Sequence, residues 1–147
     1  MSVFCGYGNH SEELSSIEVL DLKVTGAKWS LVKLKGTLLT PCFGLGAAVL
    51  SESEIALFGG YTEQAKADSD DPEPIGQKLT DVHIFDHKSR SLKKVAFKNK
   101  HGIVPVVYPS VSMLDRNLIV TADVYTHQVF EYDRLADQMR VIGRLPS

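Results

Sequence analysis

The chain has 147 residues, 44% hydrophobic and 23% charged, and its 16 basic and 18 acidic side chains leave a net charge of -2. Such a composition suits one globular domain and excludes a disordered chain, while the interspersed charges form no basic footprint, so nucleic acid is not an expected partner. No run reaches the ~18 apolar residues of a spanning helix and the start carries no basic-then-apolar leader, so no membrane partner is expected and the default location is cytoplasmic.

Apolar runs separated by turn residues follow one another at 2–5, 17–22, 29–34, 45–50, 55–59, 81–86 and 92–97. They continue at 103–108, 110–114, 118–122, 128–132 and 138–142. Val, Ile, Leu, Phe and Tyr dominate them, as strands require, and no stretch keeps a helical period for three turns. The expected fold is therefore all-β, made of hairpins in series.

Taken in order, the first group supplies strand B at 2–5, strand C at 17–22 and strand D at 29–34, with no room upstream for a strand A. The middle group is a complete meander, with A at 44–50, B at 55–59, C at 81–86 and D at 92–97. A third group reads 110–114, 118–122, 128–132 and 138–142, for eleven strands altogether. The groups are copies of one unit. Val3-Phe4-Cys5-Gly6-Tyr7 recurs as Leu57-Phe58-Gly59-Gly60-Tyr61, and Ile17-Glu18-Val19-Leu20-Asp21 recurs as Val82-His83-Ile84-Phe85-Asp86 and as Val129-Phe130-Glu131-Tyr132-Asp133.

A B strand ending in Phe58-Gly59-Gly60-Tyr61, a C strand ending in Asp86 and a D strand carrying a large apolar residue such as Trp29 resemble the kelch motif. Its residues here are Gly6, Tyr7, Asp21 and Trp29 in the first copy, Gly59, Gly60, Tyr61 and Asp86 in the second, and Asp133 in the third. In the third copy Thr121-Ala122 replaces the glycine pair, and Trp29 corresponds to Leu92 and Met139. Two adjacent glycines have a physical use, since they let the backbone turn sharply at a crowded strand end. Trp29 is expected in the core.

The resemblance implies kelch-like β-propeller blades, with repeats at 1–37, 38–98 and 99–147 forming one domain. Kelch repeats run to about 50 residues and propellers need about four to eight blades, so about three blades make an incomplete ring with an apolar face bare at each end. A portion of a longer propeller is the expected explanation. A partial ring completed by a copy of itself or by further blades of another chain, and a compact nonstandard β-domain, are the alternatives.

From Phe4 to Phe58 is 54 positions and from Asp21 to Asp86 is 65, which leaves 11 extra residues between B and C of the second copy. This insertion, 63–78, is acidic and turn-rich at its centre, with Asp68, Asp70, Asp71 and Glu73, and is expected to be a mobile surface loop. In an antiparallel meander the B-to-C and D-to-A connections emerge on one edge, so the insertion shares that edge with Lys98, Lys100 and His101. These seven residues are the expected partner-binding set, and a basic segment of another protein suits the acidic loop.

Chemistry is sparsely signalled. Asp68, Asp70 and Asp71 lack the glycine and the terminal glutamate of a helix-flanked calcium loop. His83 and His87 are spaced for a shared metal on a helix, whereas this stretch reads as a strand followed by a turn. Kelch-type propellers include copper oxidases similar to galactose oxidase, whose Tyr, His and Cys groups come from several blades, yet nothing draws Tyr7, Tyr61, His10 and Cys5 together. No cofactor is expected, and the implied role is a noncatalytic scaffold for protein–protein interaction, with a fragment of a kelch-type propeller enzyme as the alternative. Cys5 and Cys42 fall in predicted strands, where buried thiols are expected rather than a disulfide.

Overall fold

The computed structural model describes residues 1–7, 13–64, 75–79, 81–95, 109–115, 117–121, 127–136 and 138–146, all of them strand, turn or irregular backbone. The fold is all-β, with no helix among the described residues. The first sheet holds β1 (Ser2–Tyr7), β2 (Glu13–Val19) and β3 (Ser30–Leu31), in that spatial order. Next come β4 (Lys35–Gly36), β5 (Gly46–Val49) and β6 (Glu54–Phe58), then a separate hairpin of β7 (Tyr61–Gln64) and β8 (Ile75–Lys78). β9 (Val82–Asp86) and β10 (Ser91–Val95) complete the second sheet, ordered β4-β10-β9-β6-β5. The third sheet is a plain antiparallel meander of β11 (Ser110–Leu114), β12 (Asn117–Thr121), β13 (Gln128–Asp133) and β14 (Gln138–Arg144).

Side chains alternate across a strand, so each sheet offers two faces. In the second sheet one face carries Leu57, Phe85 and Leu92, which join Cys5, Ile17, Leu39 and Cys42 in a single buried cluster with Phe4 packed against it. The opposite face carries Ala56, Phe58, Val82 and Val95, which join Phe130, Tyr132 and Met139 of the third sheet. Two seams therefore sandwich the second sheet, and the edge-to-face pair of Phe4 and Phe85 at 5.7 Å belongs to the first. Close approach at the second seam depends on Gly46 of β5, where an added Cβ would lie 2.7 Å from the Pro109 carbonyl oxygen leading into β11.

Ladder register makes the copies superimposable. Phe4 pairs with Ile17 as Phe58 pairs with Val82. Leu92 pairs with Phe85 as Met139 pairs with Tyr132. Counting back from Asp21, Leu20 occupies the Phe85 position, Val3 the Leu57 position and Trp29 the Leu92 position. These residues lie on the face of the first sheet that turns away from the second. Accordingly Trp29 is 43% exposed while Leu92 is 5% exposed, which corrects the expectation of a buried tryptophan. Nothing among the described residues stacks on that face to cover it.

Other expectations also need correction. Among the described residues fourteen strands form, where eleven were expected. β4 is a two-residue parallel addition to β10, through Lys35–Ser91 and Gly36–Leu92, and such an addition needs no apolar pattern. The insertion expected to be a loop over 63–78 is a ladder at its ends, with Tyr61 opposite Lys78 and Gln64 opposite Ile75. Strand C of the first copy stops at Val19, so Asp21 and Leu22 belong to a turn. Cys42 sits in the connection before β5 rather than in a strand. Thr121 pairs with Val129 as Phe58 pairs with Val82, so the counterpart of the glycine pair falls one residue later, outside the described residues.

Candidate functional site

At the B-to-C edge of the second sheet the ladder ends at Phe58 and Val82, and the chain leaves the sheet through Gly59 and Gly60, with φ of +69° and +107°. Left-handed backbone of this kind disfavours any side chain, and a Cβ on Gly60 would also meet the Phe43 carbonyl oxygen at 3.2 Å. The turn carries Tyr61 to a two-way bridge with Phe43, N to O at 3.0 and 2.9 Å, with the rings 5.3 Å apart. Leu79 N donates to the Gly60 carbonyl at 2.8 Å, which closes the base of the β7–β8 hairpin. Gly76, paired with Glu63 across the hairpin, leaves room for the Tyr61 ring, since a Cβ there would fall on the Tyr61 hydroxyl. The motif thus has a mechanical purpose: it ends the sheet and projects a hairpin from its edge.

In the first sheet Cys5 and Gly6 keep the same turn, with φ of +55° and +129°, and the β1–β2 register shifts between Phe4 and Gly6. Gly6 N donates to the Cys42 carbonyl at 3.0 Å. Tyr7 closes β1 opposite Glu13.

The opposite edge is governed by the three aspartates. Asp86 Oδ1 accepts from Lys88 N at 2.8 Å and Ser89 N at 3.0 Å. Asp133 Oδ1 repeats this with Leu135 N at 2.9 Å and Ala136 N at 3.0 Å, and Asp21 Oδ1 accepts from Lys23 N at 2.9 Å. A side-chain oxygen that takes turn N–H groups stabilises the C-to-D turn, so the spacing that singled these residues out is structural. Donation by the Ser89 N–H, followed by Lys88 and the Ser89 hydroxyl, holds the Asp86 carboxyl below its ordinary range.

Both seams open at this edge into notches at equivalent positions. Val19, Asp21, Phe85, His87 and Arg90 line one of about 660 Å³. Ile84, Asp86, Tyr132 and Arg134 line another of about 400 Å³, where Arg134 spans the seam to Glu54 Oε2 at 2.8 Å. The larger notch has the size of a small-molecule pocket, but it is shallow and open to solvent.

Two further polar groups stand out. On the outer face of the third sheet Glu131 accepts from Asn117 Nδ2 at 2.8 Å and from Arg140 Nε at 2.6 Å, and these donors, Asn117 first, lower its pKa. His83 is buried in β9; burial lowers its pKa, Asp81 opposes the shift and Lys94 adds to it. His87 lies beyond the strand end in an exposed turn, four extended residues from the buried His83 rather than one helical turn away. Among the described residues no three His, Cys, Asp or Glu side chains converge.

The expected partner-binding residues Asp68, Asp70, Asp71, Glu73, Lys98, Lys100 and His101 lie outside the described residues. What the structure does place is the β7–β8 hairpin, whose strands flank the first four in the chain. Reasoning from sequence missed two arrangements, the seam-edge notches and the pairing of Cys5 with Cys42; a cysteine in a glycine position was the available clue to the second.

No family model and no curated protein matches the chain. It shares its fold with the solved structure of YjhT, at a TM-score of 0.68 and 15% sequence identity, over 99% of this chain and 49% of that one. The chain therefore spans about half the length of that structure. No helix among the described residues is long and apolar enough to cross a membrane.

Proposed function

We propose that the chain is a noncatalytic protein-interaction scaffold built of kelch-like propeller blades, whose B-to-C and D-to-A edge receives a partner. One observation carries this reading: the same seam recurs, Phe85 and Leu92 on one side and Tyr132 and Met139 on the other, so that successive sheets stack as rigid repeats and present their connections along common edges. Rigid repeats that carry variable loops are the usual architecture for protein recognition. The β7–β8 hairpin flanks an acidic segment in the chain, and the partner is a basic stretch of another protein. A cytoplasmic setting suits the two buried thiols. The test is a titration with a lysine- and arginine-rich peptide, comparing the parent chain with a variant carrying Asp68→Asn, Asp70→Asn, Asp71→Asn and Glu73→Gln. Binding at least ~10-fold weaker in the variant, with a marked loss on adding salt, supports the assignment. Equal affinity removes the loop from the site.

A second reading rests on the outer face of the first sheet. Met1, Val3, Trp29 and Leu31 are 66%, 45%, 43% and 64% exposed there, although the matching face of the second sheet is a seam. The occupant we assign is the third sheet of a second copy, two half-rings closing on each other through two identical contacts. Leu114, 63% exposed on the outer face of the third sheet, supplies apolar surface for that contact. A particle of twice 16.2 kDa in light scattering supports this reading, and a monomer at every concentration rejects it.

A further inference from the structure

Cys5 and Cys42 are 37 positions apart in the chain, yet their sulfurs lie 3.2 Å from each other. They sit on opposite sides of the first seam, Cys5 in β1 and Cys42 in the connection entering the second sheet, with 6% and 1% of their surface exposed. The backbones are already tied, since Gly6 N donates to the Cys42 carbonyl at 3.0 Å. Reaching the ~2.05 Å of a disulfide requires about 1.2 Å of sulfur movement. A second observation is independent of that distance. Cys5 holds φ at +55°, the conformation that Gly59 holds at +69° in the second sheet, and this backbone favours glycine over every residue with a Cβ. The first copy therefore keeps a thiol at a position where glycine would be easier, and aims it at a second thiol.

We propose that Cys5 and Cys42 are an oxidant-sensitive dithiol, and that their disulfide staples the first sheet to the second. The oxidant is a small peroxide. The thiolate of Cys5, the more exposed of the two, attacks a hydrogen peroxide oxygen; the O–O bond breaks, a sulfenic acid forms and hydroxide leaves to become water. The Cys42 sulfur then attacks the Cys5 sulfur, the S–O bond breaks and a second water leaves. Two thiols and one hydrogen peroxide thus give one disulfide and two waters, each sulfur losing one electron. Both thiols are buried, with 6% and 1% of their surface exposed, so a small peroxide reaches them more readily than a reagent the size of oxidised glutathione.

The experiment treats the folded protein with stoichiometric hydrogen peroxide, traps remaining thiols by alkylation under denaturing conditions, and reads intact mass, cross-linked peptides and thermal unfolding. A Cys5–Cys42 peptide is expected, in a chain about two mass units lighter, with an unfolding midpoint several degrees higher that dithiothreitol reverses. Oxidised glutathione should act far more slowly. Cys5→Gly restores the glycine of the second sheet and should fold, and peroxide should leave its midpoint unchanged. Two alkylated thiols after treatment, cross-links only between chains, or the same midpoint rise in Cys5→Gly would overturn the proposal.

Discussion

Leu92 and Trp29 hold the same ladder position in the second and first sheets, and they differ in burial, at 5% and 43% exposed. The same holds for Leu57, 1% exposed, and Val3, 45% exposed. Local pattern is equivalent in both sheets, as is strand pairing. What differs among the described residues is the presence of a neighbouring sheet, so burial in this architecture is a property of the seam and not of the strand. A stacked-sheet protein writes the sequence of a buried face whether or not the next sheet lies in place.

Substitution tests that contrast directly. Phe85→Ala, at a wholly buried seam position, should cost about 3–5 kcal/mol in denaturant unfolding, and Trp29→Ala less than about 1 kcal/mol in the isolated chain. Equal costs would break the comparison. The second seam offers a tighter test through Gly46→Ala, whose Cβ would meet the Pro109 carbonyl oxygen at 2.7 Å and which should cost about 1–3 kcal/mol. Gly143→Ala, with nothing within 4 Å of its added Cβ, should stay within about 0.5 kcal/mol.

Smaller effects come from titration. His83 is buried with its pKa lowered, so its contribution is fully present above the unfolded value of about 6.5 and is lost as pH falls toward the folded value. His83→Gln should flatten urea midpoints across that window, and an unchanged slope would show that the seam does not desolvate the ring. Asp86 and Glu131 also have lowered values, so their contributions are present above about 4 and disappear as pH drops through the folded values. Asp86→Asn should remove part of the acid sensitivity by lowering stability at neutral pH toward its value in acid, read as urea midpoints on both sides of the window. The smallest effect belongs to the exposed Lys94–Asp81 pair at 2.6 Å: Lys94→Ala should cost under about 1 kcal/mol and less at high salt.

Much of the second and third sheets was legible from alternation, glycine and aspartate alone. The meander expected over 44–97 is β5, β6, β9 and β10. Gly59-Gly60 announced a chain reversal and Asp86 a turn, because those side chains, or their absence, act on their own backbone. Features requiring a distant partner were not legible. β7 and β8, reading Tyr-Thr-Glu-Gln and Ile-Gly-Gln-Lys, pair through backbone bonds that leave no apolar period. Trp29 looked like core because its sequence is that of a core residue, and the meeting of Cys5 with Cys42 across a seam has no sequence period at all. The acidic segment drew attention by composition, which speaks of charge and leaves geometry open.

The most direct test of the open seam uses Trp29, the only tryptophan in the chain. Acrylamide quenching of its emission is recorded along a dilution series with mass followed by light scattering. The account predicts a quenchable Trp29 in the 16.2 kDa particle and a shielded one in a particle of twice that mass. A Trp29 shielded within the 16.2 kDa particle would contradict it.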